Sequence, residues 1–485
     1  MAFVFAEERP RTSRLAPLCL VALACVFARP ALATIDSANV DLVSYYHVSD
    51  FYPWVADVWG YVDQQGREFA LLCKGNGLLV IDCSDPANPI LASSIDAPVS
   101  GDDMKDVKTW DHYAYACQEY GDIIIVDLAD PYNAVQVGAI QQRDLCSPTP
   151  CGFPEDGGSH NVFIDDKGRL FVAGVHFRSV LIYDLNADPV HPTMLAAYSN
   201  DYNHDVYAEG GTLYACSPGG SENGWEIVDE NVPTAPIVLS HFTYPGVGYA
   251  HSCWATDDLQ WLITGDESSG GHLYVWDISD TGAPFAVAEY VTGPGNNSIH
   301  NVQVYGHLAY ISYYDQGLRV LDISDPENPV EAGWYRDTAW DNSSCSFGIY
   351  RGIWGVYAQQ PSRNIYISEM CGGGLYVMRY TGETAGVDPV ETVGRIHLQA
   401  SPNPAPDAVQ LAATFETAGP ADLAIYDATG RQVTSLAHAE WQQAGESRWS
   451  WDRQDDSGRH VPAGIYYARL HQDRRTLTRK IVLTD

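Results

Sequence analysis

Four of the 15 histidines in this chain occupy one position of a recurring pattern. His160, His204, His251 and His300 each stand at the start of a strand-like run. Each is followed by a short polar residue, Asn161, Asp205, Ser252 or Asn301. A second position of the pattern supplies Glu119, His176, Asp266 with Glu267, Asp315 and Glu369. Imidazole nitrogen mixed with carboxylate oxygen is a donor set for Zn, Mn or Fe, and for Ca where carboxylates dominate. A bound divalent ion would lower the pKa of a water, with Glu267 or a histidine accepting its proton, which is the chemistry of a metal-dependent hydrolase or lyase. The subset best placed to share an ion is His204, His251 and His300 with Glu267, since these lie in adjacent repeats beside a carboxylate.

Other chemistry is weakly represented. Ser221 and Ser268 lie in Gly-rich segments, but neither sits in a GxSxG elbow. Asp452, Asp455 and Asp456 lack the spacing and distal Glu of a calcium loop and read as a turn. There is no phosphate loop or dinucleotide fingerprint.

The elements that must position the histidines are strands. An apolar strand ending in Asp, a Pro-rich turn and a second strand recur, as in LLVIDCSDPANPILASSI at 78–95 and LRVLDISDPENPVEAGWY at 318–335. The strand-ending residues Asp82, Asp127, Asp184, Asp229, Asp277 and Asp322 are spaced by 45, 57, 45, 48 and 45 residues. They should accept hydrogen bonds from backbone N–H groups of the turns that follow. Two more strand-like runs precede each phrase, and four strands per period make the blade of a β-propeller. Innermost strands beginning near Asp57, Asp106, His160, His204, His251, His300 and Trp354 give seven blades. The last lacks a fourth strand, which residues 39–46 should supply, closing the ring. In this position a histidine has two open readings: a ligand at the channel mouth, or the hydrogen-bonding histidine that WD-type propellers use within a blade.

The VIDxSDPxxP phrases resemble the LVIVD repeat of bacterial β-propellers. The ordered set Ser159-His160-Asn161-Val162, Asn203-His204-Asp205-Val206, Gly265-Asp266-Glu267, His300-Asn301-Val302, Tyr314-Asp315-Gln316-Gly317 and Gly352-Ile353-Trp354-Gly355 is similar to the extracellular choice-of-anchor B family. That resemblance implies a propeller carried by a separate anchoring module and no established reaction. The tail fits such a module: alternating apolar residues and turns make about six or seven strands, an Ig-like sandwich. Its Pro402-Asn403-Pro404 start, IYDATG, VPAGIYY and TRKIVL resemble the FlgD-type Ig-like module, itself similar to the type IX secretion sorting domain. The resemblance implies secretion or surface-attachment machinery as a partner, and an address on the outer surface of a Gram-negative cell rather than in the periplasm.

The expected organisation is an all-β chain: signal peptide 1–33, seven-bladed propeller 34–383, linker 384–395 and Ig-like sandwich 396–485. Arg9, Arg11 and Arg14 before the apolar run 15–27, with Ala31-Leu32-Ala33 after it, carry the export signal. No later stretch has the ~20 apolar residues of a membrane span. In an oxidising compartment Cys146 and Cys151 are candidates for a small disulfide loop. The net charge of −35 excludes phosphate backbones and anionic lipid as favoured partners. Residues 34–387 hold 13 basic and 47 acidic side chains, so the acidity belongs to the repeats. A monomeric, extracellular binding or display protein with an unnamed ligand is the leading reading, ahead of the metal-dependent enzyme.

Overall fold

The computed structural model describes residues 35–484 except 49–53, 98–102, 146–157, 176–179, 199–201, 219–222, 294–296, 339, 341–348, 371–372, 383–396, 402–404, 416–417, 428–430, 444 and 473–474. The signal segment, the linker, His176 and the Cys146/Cys151 pair therefore lie outside the described residues.

Seven antiparallel sheets succeed one another along the chain as the blades of a propeller. Blade 1 is Val55–Val62, Glu68–Lys74, Gly77–Asp82 and Ile90–Asp96, and the next five repeat that order. The innermost strands of blades 2 to 6 are Met104–Trp110, Asn161–Ile164, Val206–Glu209, Ala250–Ala255 and Val302–Tyr305. Second and third strands are buried on both faces, as in Glu68–Lys74 and Gly77–Asp82. Runs without alternation, such as FALLCK and LLVID, follow from packing each sheet between two neighbours. The outermost strands alternate between exposed and part-buried residues, and they mark the rim.

Blade 7 is Ile353–Tyr357, Asn364–Glu369 and Gly374–Tyr380, completed by Val40–His47 from the other end of the chain. The register runs from Val40 opposite Tyr380 to His47 opposite Gly374. This strand carries the same irregularity, at Leu42/Ser44, that every other blade shows between its third and fourth strands, for example at Val80/Ile81 and Val320/Leu321. It is thus the repeat's own fourth strand, displaced to the N-terminus. Just before it, Ile35–Ala38 adds a fifth strand to blade 6, and Asn39 at φ 55° turns the chain from one blade to the next. Asparagine tolerates that left-handed backbone.

The repeat aspartates terminate strands as the sequence implies. Oδ1 of Asp82, Asp127, Asp184, Asp229, Asp277 and Asp322 accepts from the backbone N–H two residues on, at 2.8–3.0 Å. Neighbouring blades are stitched at the rim by hydroxyl donors to turn carbonyls, such as Ser93 to Pro131 at 2.8 Å and Ser44 to Pro86 at 2.6 Å. The tail forms two further sheets. One holds His397–Ser401, Val409–Phe415 and Gly445–Trp451; the other holds Gly419–Asp427, Gln432–Gln442, Gly464–Gln472 and Arg475–Leu483. Its own core contains Leu411, Phe415, Ile425, Trp451 and Ile481. There Asp455 accepts from Ser457 and Arg459 backbone N–H groups, a turn as expected.

Candidate functional site

All seven innermost strands carry the same local distortion. Two consecutive residues oppose a single small residue of the second strand, a bulge that turns both side chains towards the channel. In blade 4, His204 donates its N–H to Cys216 O at 2.8 Å, and Cys216 N–H donates to Asp205 O at 2.9 Å. Blade 6 repeats this with His300, Asn301 and Ser312, both bonds being 2.9 Å. The register places Ala56-Asp57 against Cys73, Lys105-Asp106 against Cys117, His251-Ser252 against Gly265 and Trp354-Gly355 against Ser368. In blade 3, His160 bonds Ala173 O at 3.1 Å, and Asn161 pairs with Ala173. Crowding at the bulge explains the small partners; a Cβ on Gly265 would lie 2.7 Å from Ser252 Oγ. In blade 7 the counterpart of the histidines is Trp354, as expected, but in blade 2 it is Lys105 and not Asp106. Aligning the blades on the polar residue after the bulge would have found it.

The first residues of these pairs form a collar. Ring centroids lie 4.1 Å apart between His160 and His204, and 4.4 Å from His204 to His251 and from His251 to His300. Trp354 continues the arc 4.2 Å from His300. Blade 1 contributes only Ala56, and Lys105 reaches across that gap to within 5.7 Å of the Trp354 ring. Its ammonium is 3.8 Å from Glu119 Oε2, which accepts from His160 Nδ1 at 2.8 Å and completes the circle.

One residue further on lies a tier of interblade hydrogen bonds. Asn161 Nδ2 and Val162 N–H both donate to Asp106 Oδ2, at 2.8 and 3.0 Å, while Asn161 Oδ1 accepts from Val206 N–H at 3.1 Å. Lys108 bonds Asp106 and reaches Asp57 Oδ2 at 3.3 Å. Blade 7 has glycine here because a Cβ on Gly355 would sit 2.3 Å from Asp57 Oδ1. Next along the strands, Trp59 packs against Tyr357, and Phe163, Tyr207 and Trp254 pack together. The cavity lined by Trp59, Phe163, Trp254 and the tier has a volume of ≈ 40 Å³, room for a few waters.

Carboxylates complete the collar on blades 4 and 5. Asp205 Oδ1 bonds His204 Nδ1 at 2.8 Å, and its other oxygen lies 3.8 Å from His251 Nδ1. Glu267 Oε2 lies 3.6 Å from His251 Nε2, and its Oε1 accepts from the Tyr314 hydroxyl. Tyr314 holds φ at 39°, a strained value for a bulky side chain, of the kind that clusters at functional sites. Neither nitrogen of His251 or of His300 makes a hydrogen bond. Each ring has only a weak polar contact with the backbone of the next blade, at His300 and at Trp354, which raises its pKa against the larger effect of burial.

Burial divides the collar electrically. It pushes His251 down to about 3 and His204 and His300 well below the usual imidazole range, so these rings are neutral at pH 7. Burial also lifts the Glu267 carboxyl to about 8. At His160 and Glu119 burial is outweighed by their mutual bond: the imidazole is raised and the carboxyl is held at about 2.

The structure thus brings together His160, His204, His251, His300, Asp205 and Glu267. The two other carboxylates have different neighbours. Asp315 accepts from Arg351 Nε at 2.9 Å and from Gln316. Glu369 lies in blade 7 where it helps raise the Tyr45 and Tyr376 phenols. His160 bonds across to Glu119 of blade 2, whereas His204 bonds Asp205 of its own blade and His251 lies 3.6 Å from Glu267 of its own blade.

The chain carries LVIVD repeats, matched at residues 69–97 and 298–337, and a FlgD Ig-like domain, matched at 405–475. The first two segments fall in blades 1 and 6, and the third in the C-terminal sandwich. No curated protein matches the chain. Among solved structures it is similar to PorZ, a surface component of the type-IX secretion system of Porphyromonas gingivalis, at 14% identity and TM-score 0.46, covering 87% of this chain and 58% of that one. It is also similar to the extracellular domain of the one-component system BT4673 from B. thetaiotaomicron, at 11% identity and TM-score 0.46, covering 91% and 59%. The WD40 repeats of RRP9 share 9% identity at TM-score 0.49, covering 70% and 96%. The chain spans less than two thirds of the first two proteins.

Proposed function

We propose that this protein is an extracellular or cell-surface binding protein, a closed propeller held in place by its C-terminal FlgD Ig-like domain. One observation carries the reading. The ring is completed by its own N-terminal strand, Val40–His47, while the tail folds on its own core. The tail is therefore not needed to close the propeller and is free to serve attachment. The export-signal pattern at 1–33 and the order of blade motifs, similar to the choice-of-anchor B family, support the same address. Among the described residues no helix is long and apolar enough to cross a membrane, so attachment would run through secretion or surface machinery. The binding face is the collar mouth, and the acidity of the repeats favours a cationic or neutral ligand there.

Removal of residues 396–485 tests this. The shortened chain should keep cooperative unfolding and its β-sheet circular dichroism but lose surface association on fractionation of the producing cells. A truncated chain that cannot fold would make the tail part of the propeller's structure and sink the reading.

A further inference from the structure

We propose that His204, His251 and Glu267 form a binding site for one borderline divalent transition-metal ion of the Zn²⁺ class, with Tyr314 positioning the carboxylate. The donor atoms of these three side chains lie within 4.8 Å of one another. Bonds of about 2.0–2.2 Å place tetrahedral donors ~3.4 Å apart, so small side-chain rotations bring all three onto one ion. Each donor is already oriented. Asp205 holds His204 Nδ1 at 2.8 Å, which leaves Nε2 as the ligand atom. A ligating histidine whose other nitrogen meets a carboxylate is the usual second layer of a metal site. Tyr314 occupies Glu267 Oε1, leaving Oε2 facing His251.

His251 is the second, independent observation. It is only 1% exposed, yet both ring nitrogens lack a hydrogen bond. Orphaned buried nitrogens are uncommon and call for a specific cause. A second cluster of His160, His204 and Asp205 has comparable spacing. There, however, His160 is committed to Glu119 and Asp205 to His204, so fewer donors are free. Two imidazoles with one carboxylate suit Zn²⁺, Mn²⁺ or Fe²⁺ better than Ca²⁺, which takes six to eight oxygens. Three protein donors also leave a coordination position for water or for a donor atom of an external ligand. The site needs the propeller alone and does not depend on how the tail is used.

The full chain, stripped with a chelator and titrated with Zn²⁺ by calorimetry, should bind one equivalent saturably and gain thermal stability. Co²⁺ should give visible d–d absorption at the same stoichiometry. His251→Ala should abolish the saturable event, Glu267→Gln should weaken it at least ~100-fold, and Tyr314→Phe should weaken it ~10–100-fold, the effect of losing a partner behind a ligand. His272→Ala, at an exposed histidine paired with Glu289, should change nothing. Glu267→Gln and Tyr314→Phe are near-isosteric, so they keep the test valid if His251→Ala misfolds. Equal binding by the Glu267→Gln variant and the parent chain, no saturable binding by the parent, or Ca²⁺ competing on equal terms with Zn²⁺ would each overturn the proposal.

Discussion

The collar and the tier beneath it come from the same seven bulges, one residue apart, yet they satisfy their polar atoms to different degrees. Among the described residues, the tier leaves only Ser252 Oγ without a partner, the collar both nitrogens of His251 and of His300. In the tier, Asp106 accepts from Asn161 and from Val162 N–H, Asn161 accepts from Val206 N–H, and Lys108 bridges to Asp57. Every one of these contacts joins two blades. In the collar, His251 and His300 make no hydrogen bonds and hold their place by ring packing. A satisfied network in a low-dielectric interior specifies structure, whereas a buried polar atom without a partner costs stability. The tier therefore holds the ring closed, and the collar is where the chain leaves buried donor atoms uncommitted.

The largest effect should follow from removing the tier's cation. Lys108 is buried against Asp57 and Asp106, and its ammonium lies 4.5 Å above the Trp59 ring. Lys108→Met keeps the volume but leaves two buried carboxyl groups without their counter-charge. Breaking a buried pair by removing one partner costs about 3–5 kcal/mol, which urea denaturation would detect. A loss under ~1 kcal/mol would show that the tier can do without its charge, and the contrast with the collar would fail. Asn161→Leu should cost less, about 1–3 kcal/mol, because it orphans Val206 N–H while Asp106 keeps Lys108 and Val162 N–H. Replacing a strand-ending aspartate, as in Asp322→Ala, removes one exposed turn bond of 2.8 Å and should cost about 0.5–1.5 kcal/mol. If that rim substitution matched Asn161→Leu, depth in the channel would not be what makes the tier matter.

How much of this could be read from the sequence depends on whether the signal is local. The strand-ending aspartates and the closing strand were legible because each is a fixed phrase acting on its own turn or edge. His204, His251 and Glu267 were also placed together, since consecutive blades put equivalent positions side by side. Lys105 was not legible, because its equivalence to the histidines lies in bulge register and not in residue type, whereas Trp354 already stood in the histidine position of blade 7. Tyr314 was hidden for another reason: its phenol reaches Glu267 across a blade boundary 47 positions away, from a backbone held at φ 39°. Asp315 stands next to it, but Arg351 binds its carboxylate, a pairing between a blade 6 loop and the approach to blade 7 that no spacing announces.

The smallest stability change is the most informative about the collar. His300 packs at a tilt between His251 and Trp354, is 3% exposed, and has two ring nitrogens without a hydrogen bond. His300→Phe keeps a flat ring in that place and removes both orphaned atoms. Loss of the ring's polarity should therefore leave stability within about 1 kcal/mol of the parent or raise it, since no hydrogen bond is lost. Zn²⁺ affinity should also be retained, because the three proposed donors are on blades 4 and 5. Thermal melts with and without metal read both outcomes. A drop well beyond ~1 kcal/mol would mean that His300 is held by polar contacts after all, and the collar would then belong with the tier as structure. Unchanged stability with altered ligand binding at the mouth would place the whole imidazole arc, and not its metal-binding corner alone, in the service of recognition.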